Sequence, residues 1–170
     1  NPGASCTLAD VSKPDQVDLL FEEYQAKFDG LDVLVNNAGV AGPTALVQDI
    51  EIDEWNSTIN VDLNGQFTVT RQAVPLIKAA GGGSIINMSS NAGLSGCPMR
   101  SPYVAAKEQS VDADRIRQTY QRQSSMRQFT DAEDVAAMAL FLSSNAGAKI
   151  SGQAIGIDGH TEGLASWLDD

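Results

Sequence analysis

Cysteine, histidine and basic residues are all scarce in this chain. Of 170 residues two are Cys, one is His, and 11 Lys plus Arg face 22 Asp plus Glu, for a formal net charge of −11. Cys6 and Cys97 are too few for a disulfide framework, and adding His160 does not complete a four-ligand zinc cage. No metal site is therefore expected, and the thiol usage fits a reducing cytoplasm. The acidic balance opposes capture by a phosphate backbone or an anionic bilayer, so neither nucleic acid nor membrane is an expected partner. No run approaches the ~20 consecutive apolar residues of a membrane span, and the first residues lack a basic and apolar signal pattern. The chain opens Asn1-Pro2-Gly3 without a Met, from which we expect residues upstream in the gene product.

What is present is enough for one core: 42% of the residues are apolar and 19% charged, the balance of a single globular domain rather than a disordered chain. Ser12 precedes Lys13 and Pro14, and Val17, Leu20, Phe21, Tyr24 and Phe28 follow at helical spacing, so a helix capped by Ser12 and ended by Gly30 is expected. Leu31 to Val35 then reads as a short strand that delivers the polar turn Asn36-Asn37-Ala38-Gly39. Asp53 to Ala79 carries Trp55, Ile59, Leu63, Phe67, Thr70, Val74 and Ile77 at helix-like intervals, which predicts one long crossover helix kinked or loosened near Pro75. After Gly81-Gly82-Gly83, Ser84 to Met88 is a second strand, and a loop rich in Ser, Gly and Pro follows from Ser89 to Pro102. Thr130 with Glu133 has capping-box spacing before a helix through Val135, Met138 and Leu142, and Gln153 to Asp158 reads as a final strand. Helix and strand alternate as in an α/β doubly wound parallel sheet of Rossmann type, where ligands sit beyond the carboxyl ends of the strands.

Tyr103 and Lys107 stand four positions apart, so on one helix they share a face. An ammonium beside a phenol favours the phenolate and lowers a pKa that is ordinarily about 10, bringing Tyr103 within reach of acid/base work near neutral pH. Ser90, at the end of the second strand, can polarise a carbonyl oxygen or hold an alcohol. A chance Tyr-x-x-x-Lys pair is expected only about 0.09 times in such a chain, as an exposed neighbour pair. What strengthens the pattern is its company, two polar loops that each come directly after a strand of the same sheet.

These residues resemble the short-chain dehydrogenase/reductase family. The resemblance rests on Leu31 to Gly39, on Ile85-Ile86-Asn87-Met88-Ser89-Ser90, on Tyr103-Val104-Ala105-Ala106-Lys107, and on Ile150-Ser151-Gly152-Gln153 with Asp158-Gly159. It implies an oxidoreductase that moves a hydride between NAD or NADP, with NAD preferred, and a secondary alcohol or ketone. It implies Tyr103 as general acid/base, Lys107 as its pKa-lowering partner and a ribose contact, and Ser90 as the group that orients the substrate oxygen. Asp10 and Val11 are assigned to the adenine end of the cofactor, and Asn36, Ala38 and Gly39 to the wall beside its ribose. For Asn36 and Asn37 a purely structural turn stays open, and for Asp10 a helix-entry role. Asn91, Leu94, Met99 and Arg100 are expected around the substrate mouth, which admits a 3-oxoacyl thioester as well as a polyol, sugar or cyclic alcohol. A homotetramer built through the long helices and the C-terminal strand is also implied; the apolar Leu164 and Trp167 are candidates for its interface, with packing inside the chain left open.

Several positions depart from that pattern. No Gly-rich turn between a strand and a helix occurs, and Gly81-Gly82-Gly83 precedes a strand where a phosphate cradle has to come after one. Lys107 is followed almost at once by a segment rich in Gln, Arg and Ser, so we expect residues to be missing after about position 107 of an otherwise single domain. Asp62 stands where relatives carry an active-site Asn. It can accept from a relay water, or simply from backbone donors, leaving the relay to Asn60 or Asn64; an ionised Asp62 near Lys107 would raise the Tyr103 pKa. His160 is expected to be a loop histidine with no triad role. The residues leave open a catalytically silent nucleotide-binding scaffold, and epimerase or dehydratase chemistry on the same fold.

Overall fold

The computed structural model describes residues 3–90, 125, 126, 128 and 130–160, arranged in two compact units. The first unit takes in residues up to Pro43 and Ile50–Met88. Its helix α1, Pro14–Gln25, starts on Pro14, whose fixed φ suits a first helical position. Ser12 is not its cap: the N-cap is Lys13, which makes no side-chain capping bond, while the Ser12 hydroxyl donates to Asp10 Oδ1 at 2.8 Å. Nor does the helix reach Gly30. It ends at Gln25, and Tyr24 Oη donates to the Gly30 carbonyl at 2.6 Å, pinning the chain as it turns back.

Strand β1, Val33–Asn36, pairs in parallel with β2, Ser84–Asn87, in the register Val33 to Ser84 through Asn36 to Asn87. Parallel neighbours need a long crossover, and here it contains α2, Ile52–Ile59, a π turn at Asn60–Gly65, and α3, Gln66–Ala79. The single long helix expected from the apolar spacing is thus two helices joined by a wider turn. Pro75 lies inside α3, which continues past it to Ala79. A Glu51–Glu54 capping box closes the start of α2, with Glu51 N donating to Glu54 Oε2 at 3.2 Å.

Val17 and Phe21 of α1 pack with Val69, Ala73 and Ile77 of α3 to make the core, bordered by Val11, Leu31, Leu34 and Leu76. The spacings 17 and 21, and 69, 73 and 77, are the i, i+4 rows that bring one face of each helix together. Gln72 on α3 also donates to Asp18 on α1. Before β2, Gly81 and Gly82 take φ of 96° and 118°, a turn that side chains disfavour. Gly83 serves differently: a Cβ there would collide with the Asp32 carbonyl, which accepts the Ser84 N–H at 2.9 Å as the strand enters the sheet.

The second unit comprises 44–49 and residues from Ser89 onward. Helix α4, Ala132–Ser143, is closed by a capping box one residue off the expected pair: Asp131 and Asp134 fill it, not Thr130 and Glu133, and Asp131 N donates to Asp134 Oδ2 at 2.9 Å. Thr130 instead donates its hydroxyl to the Ile157 carbonyl at 2.8 Å. Residues 153–158, expected as a strand, form no ladder among the described residues. Carbonyls around them are taken from outside a sheet, that of Gly159 by Met126 N and that of His160 by Ser125 N, each at 3.2 Å. Among the described residues no helix is long and apolar enough to cross a membrane.

Candidate active site

The parallel register places the carboxyl ends of β1 and β2 side by side, with Met88 N donating to the Asn36 carbonyl at 3.0 Å. Loops leaving a parallel sheet at that edge are where α/β proteins gather ligands. Asn36 is buried, at 6% exposure, and its side chain is fully engaged as a donor: Nδ2 reaches Thr70 Oγ1 at 2.9 Å and Asn87 Oδ1 at 2.8 Å. It ties both strand ends to α3, so its side chain fixes the platform on which the next residues stand. Those residues, Asn37, Ala38 and Gly39, are exposed, and the small bulk of Ala38 and Gly39 lets a flat ligand approach the backbone closely.

Val11 reaches this platform through Gly65. That glycine is buried, and a Cβ on it would lie 2.7 Å from Val11 Cγ2. The seam lined by Val11, Asn36, Ala38, Gly65, Gln66 and Val69 encloses only about 10 Å³, room for at most one water. The seam is therefore closed, and the surface this edge leaves exposed is that of Asn37, Ala38 and Gly39. Asp10 is exposed and turned to its own loop. Its Oδ1 accepts Ser12 N at 2.9 Å and the Ser12 hydroxyl at 2.8 Å. The backbone N–H of Ser12, then its hydroxyl, then the Lys13 charge hold the Asp10 carboxyl below its ordinary value of 3.8.

Asp62 sits in the π turn, and its Oδ1 accepts the Val40 N–H at 2.8 Å. Asn60 Oδ1 accepts from Asn64 Nδ2 at 2.8 Å. Ser90 is exposed, three residues beyond the end of β2. Asn91, Leu94, Met99, Arg100, Tyr103 and Lys107 lie outside the described residues, as do Cys97, Leu164 and Trp167. His160 is exposed with φ 63°; its Nδ1 lies 3.0 Å from Ser125 Oγ and its backbone N–H donates to Asp158 Oδ1 at 3.0 Å, an Asx-type turn. Among the described residues no group of three metal-ligating side chains is placed to hold an ion.

Two residues matter more than their sequence context signalled. Gly65 and Gln66 lie in a stretch singled out for Asp62, Asn60 and Asn64, yet Gly65 receives Val11, and Gln66 Nε2 donates to the Met88 carbonyl at 3.2 Å. Gln66 also lines a groove of about 560 Å³ with Leu63, Phe67, Thr70, Arg71 and Asn87. Helical periodicity could have placed 62, 65, 66 and 69 on one face, but nothing in it tells that this face meets three different loops.

The model of the short chain dehydrogenase family matches residues 2–112. A 3beta-hydroxysteroid dehydrogenase of Mediterraneibacter gnavus is 45% identical over 58% of this chain and 35% of its own length. A trans-4-hydroxycyclohexanecarboxylate dehydrogenase of Sinomonas cyclohexanicum is 54% identical over 48% of this chain and 30% of its own. The chain thus spans about a third of these two relatives. A 3-oxoacyl-acyl-carrier-protein reductase of Thermotoga maritima is 31% identical over 88% of this chain and 73% of its own. That last alignment runs over 181 positions, so about thirty of them have no counterpart in a 170-residue chain covered to 88%. Among solved structures, a levodione reductase superposes with a TM-score of 0.82 at 20% identity, covering 93% of this chain and 78% of that one. An NAD+-bound xylitol dehydrogenase gives 0.73 at 19%, covering 85% and 74%. Both likenesses carry the Rossmann-type parallel α/β fold expected from the alternation of elements. The polar loops at the ends of two parallel strands, and the match over residues 2–112, place this chain in the short chain dehydrogenase family.

Proposed function

We propose that this protein is an NAD(P)-dependent oxidoreductase that interconverts a secondary alcohol and its ketone. The observation that carries the reading is the in-register pairing of Asn36 with Asn87, which starts the loop through Ala38 and Gly39 and the loop toward Ser90 at one sheet edge. Val11, Ala38 and Gly39 would hold the nucleoside half of the cofactor. The bound nicotinamide supplies the hydride acceptor or donor. Ser90 holds the substrate oxygen, and Tyr103 takes the proton from an alcohol or gives it to a ketone. Lys107, one helical turn from Tyr103, keeps the phenol acidic enough for that exchange near neutral pH and contacts the ribose. Asn91, Leu94, Met99 and Arg100 line the substrate side. NAD is the cofactor we favour.

An alicyclic secondary alcohol is the substrate class favoured, because the relatives at 45% and 54% identity are named for a hydroxysteroid and a hydroxycyclohexanecarboxylate. A 3-oxoacyl thioester is the second reading, supported by the relative that matches over most of both chains. Assembly through α2 and α3 into a homotetramer is supported by the exposed Ile52, Trp55, Leu63 and Phe67 on those elements and the π turn between them.

The test measures turnover by the change in reduced-cofactor absorbance, with trans-4-hydroxycyclohexanecarboxylate and a 3-oxoacyl thioester as probes and NAD and NADP as cofactors. Tyr103→Phe is expected to lower kcat by at least about 100-fold, the usual worth of a general acid/base, while dinucleotide affinity stays unchanged. Retained turnover in Tyr103→Phe overturns the assignment. Dinucleotide binding without turnover of any alcohol or ketone points to a silent scaffold, and turnover without net absorbance change to an epimerase or dehydratase.

A further inference from the structure

Three loops that the functional reading brings to one edge are all held from a single short stretch, Asp62 to Gln66. Asp62 Oδ1 accepts the Val40 N–H at 2.8 Å, directly after Ala38 and Gly39. A Cβ on Gly39 would stand 3.5 Å from that same oxygen, so the carboxylate lies against the loop it binds. Gly65 is buried beneath Val11, with a would-be Cβ 3.1 Å from Val11 Cβ and 3.2 Å from its carbonyl oxygen. Both the side chain and the main chain of Val11 rest on the glycine, so neither can retreat by a rotamer change alone. Gln66 Nε2 donates to the Met88 carbonyl at 3.2 Å, two residues before Ser90.

The backbone of this stretch is unusual too. Asn60–Gly65 is a π turn between two α-helices, and such turns occur mostly as single-turn insertions within helices, frequently at functional sites. One inserted residue rotates the helix before it by roughly 100° relative to the helix after it. The direction of Asp62 toward Val40 is therefore set by the turn itself. The phase of α3 is fixed separately, by Val69, Ala73 and Ile77 in the core. Core packing thereby anchors the turn, and the turn anchors the loops.

We propose that Asp62, Gly65 and Gln66 form a three-way positioning clamp that sets the spacing between the two cofactor loops and Met88, just beyond the end of β2. This rests on the functional reading above. Asp62 acts here as a carboxylate acceptor for a backbone donor, and its charge is not required. Gly65 acts through its missing side chain. Gln66 acts as a donor, on Met88 and not on the cofactor loops. The three contributions are separable by experiment.

The experiment uses the full chain and reads three things: amide exchange at Val40, NAD and NADP affinity by titration, and the kcat against KM split. Asp62→Ala is expected to speed Val40 exchange at least tenfold, as a local opening would, and to weaken dinucleotide binding about tenfold, as a misplaced loop does. Asp62→Asn keeps the acceptor oxygen and is expected to restore both. Gly65→Ala is expected to weaken dinucleotide binding with Val40 exchange unchanged. Gln66→Met keeps length without the donor and is expected to lower kcat with dinucleotide affinity intact. Unaltered Val40 exchange and affinity in Asp62→Ala, or failure of Asp62→Asn to restore them, overturns the clamp alone. A wild-type chain that binds neither NAD nor NADP overturns the functional reading, and the clamp with it.

Discussion

Asp10 carries a carboxylate already committed to its own loop, where it accepts the amide and the hydroxyl of Ser12. Those bonds favour the ionised form, so the folded pKa falls below 3.8. A depressed carboxylate contributes stability that is fully present above its unfolded value and is lost as pH falls through the folded value. The expected outcome is an Asp10 carboxyl resonance that titrates with a midpoint below 3.8, and a 10–13 turn that loosens only beneath it. Ser12→Ala should move the midpoint back toward 3.8; a midpoint at or above that value in the wild type contradicts the turn. At this scale the sequence was readable in type but not in partner. Asn36, expected to open the turn after the strand, is instead the last residue of β1, and the residue that engages it, Thr70, lies 34 positions away. Asp62 was conspicuous only for standing where an Asn is common, and its partner Val40 had no signal of its own. Even the short-range pair Asp10 with Ser12 was misread, since Ser12 was expected to cap α1, and a bond between distant loops needs the fold.

At the scale of elements, α1 and α3 meet along Val17, Phe21, Val69, Ala73 and Ile77, and Ala73 is fully buried where the helices cross. The small side chain lets the two backbones come close, so there is no room to add three carbons. Ala73→Leu is expected to destabilise the fold by about 1–3 kcal/mol through overpacking, and urea denaturation of variant and wild type measures it. A midpoint that does not fall would mean that the helices do not meet there. Apolar periodicity found α1, and found α3 as the end of one helix expected from Asp53, while short apolar runs between turn residues found both strands. It failed where a local rule was overridden. The crossover kept its helical spacing while its backbone widened into the π turn at Asn60–Gly65. Residues 153–158 alternate suitably for a strand, but a strand is made by its neighbour, and none of the described residues forms a ladder with them. The α4 cap shifted by one residue because Asp131 and Asp134 offer the same reciprocal bonds as Thr130 and Glu133, and sequence spacing alone does not rank the two.

For the molecule as a whole, charge and exposed apolar surface pull in opposite directions. Ile52, Trp55, Leu63 and Phe67 recur every three to eight positions from α2 through the start of α3, and are 76%, 56%, 62% and 66% exposed. Singly such residues are ordinary, but several large apolar side chains exposed on consecutive elements are what self-association covers. Each copy also carries a net charge of −11, so two copies repel at long range, and that repulsion fades as the Debye length shrinks from about 30 Å at 0.01 M salt to about 3 Å at 1 M. Association through this surface should therefore tighten as salt is added, the reverse of an assembly held by ion pairs. Light scattering of the eluting protein between those two ionic strengths is expected to show a shift toward the larger species. Phe67→Glu, which places a further negative charge among these side chains, should return the chain to monomer at low and moderate salt while urea denaturation of the monomer remains near wild type. An assembly that dissociates as salt rises, or one indifferent to Phe67→Glu, would locate the contact elsewhere on the molecule.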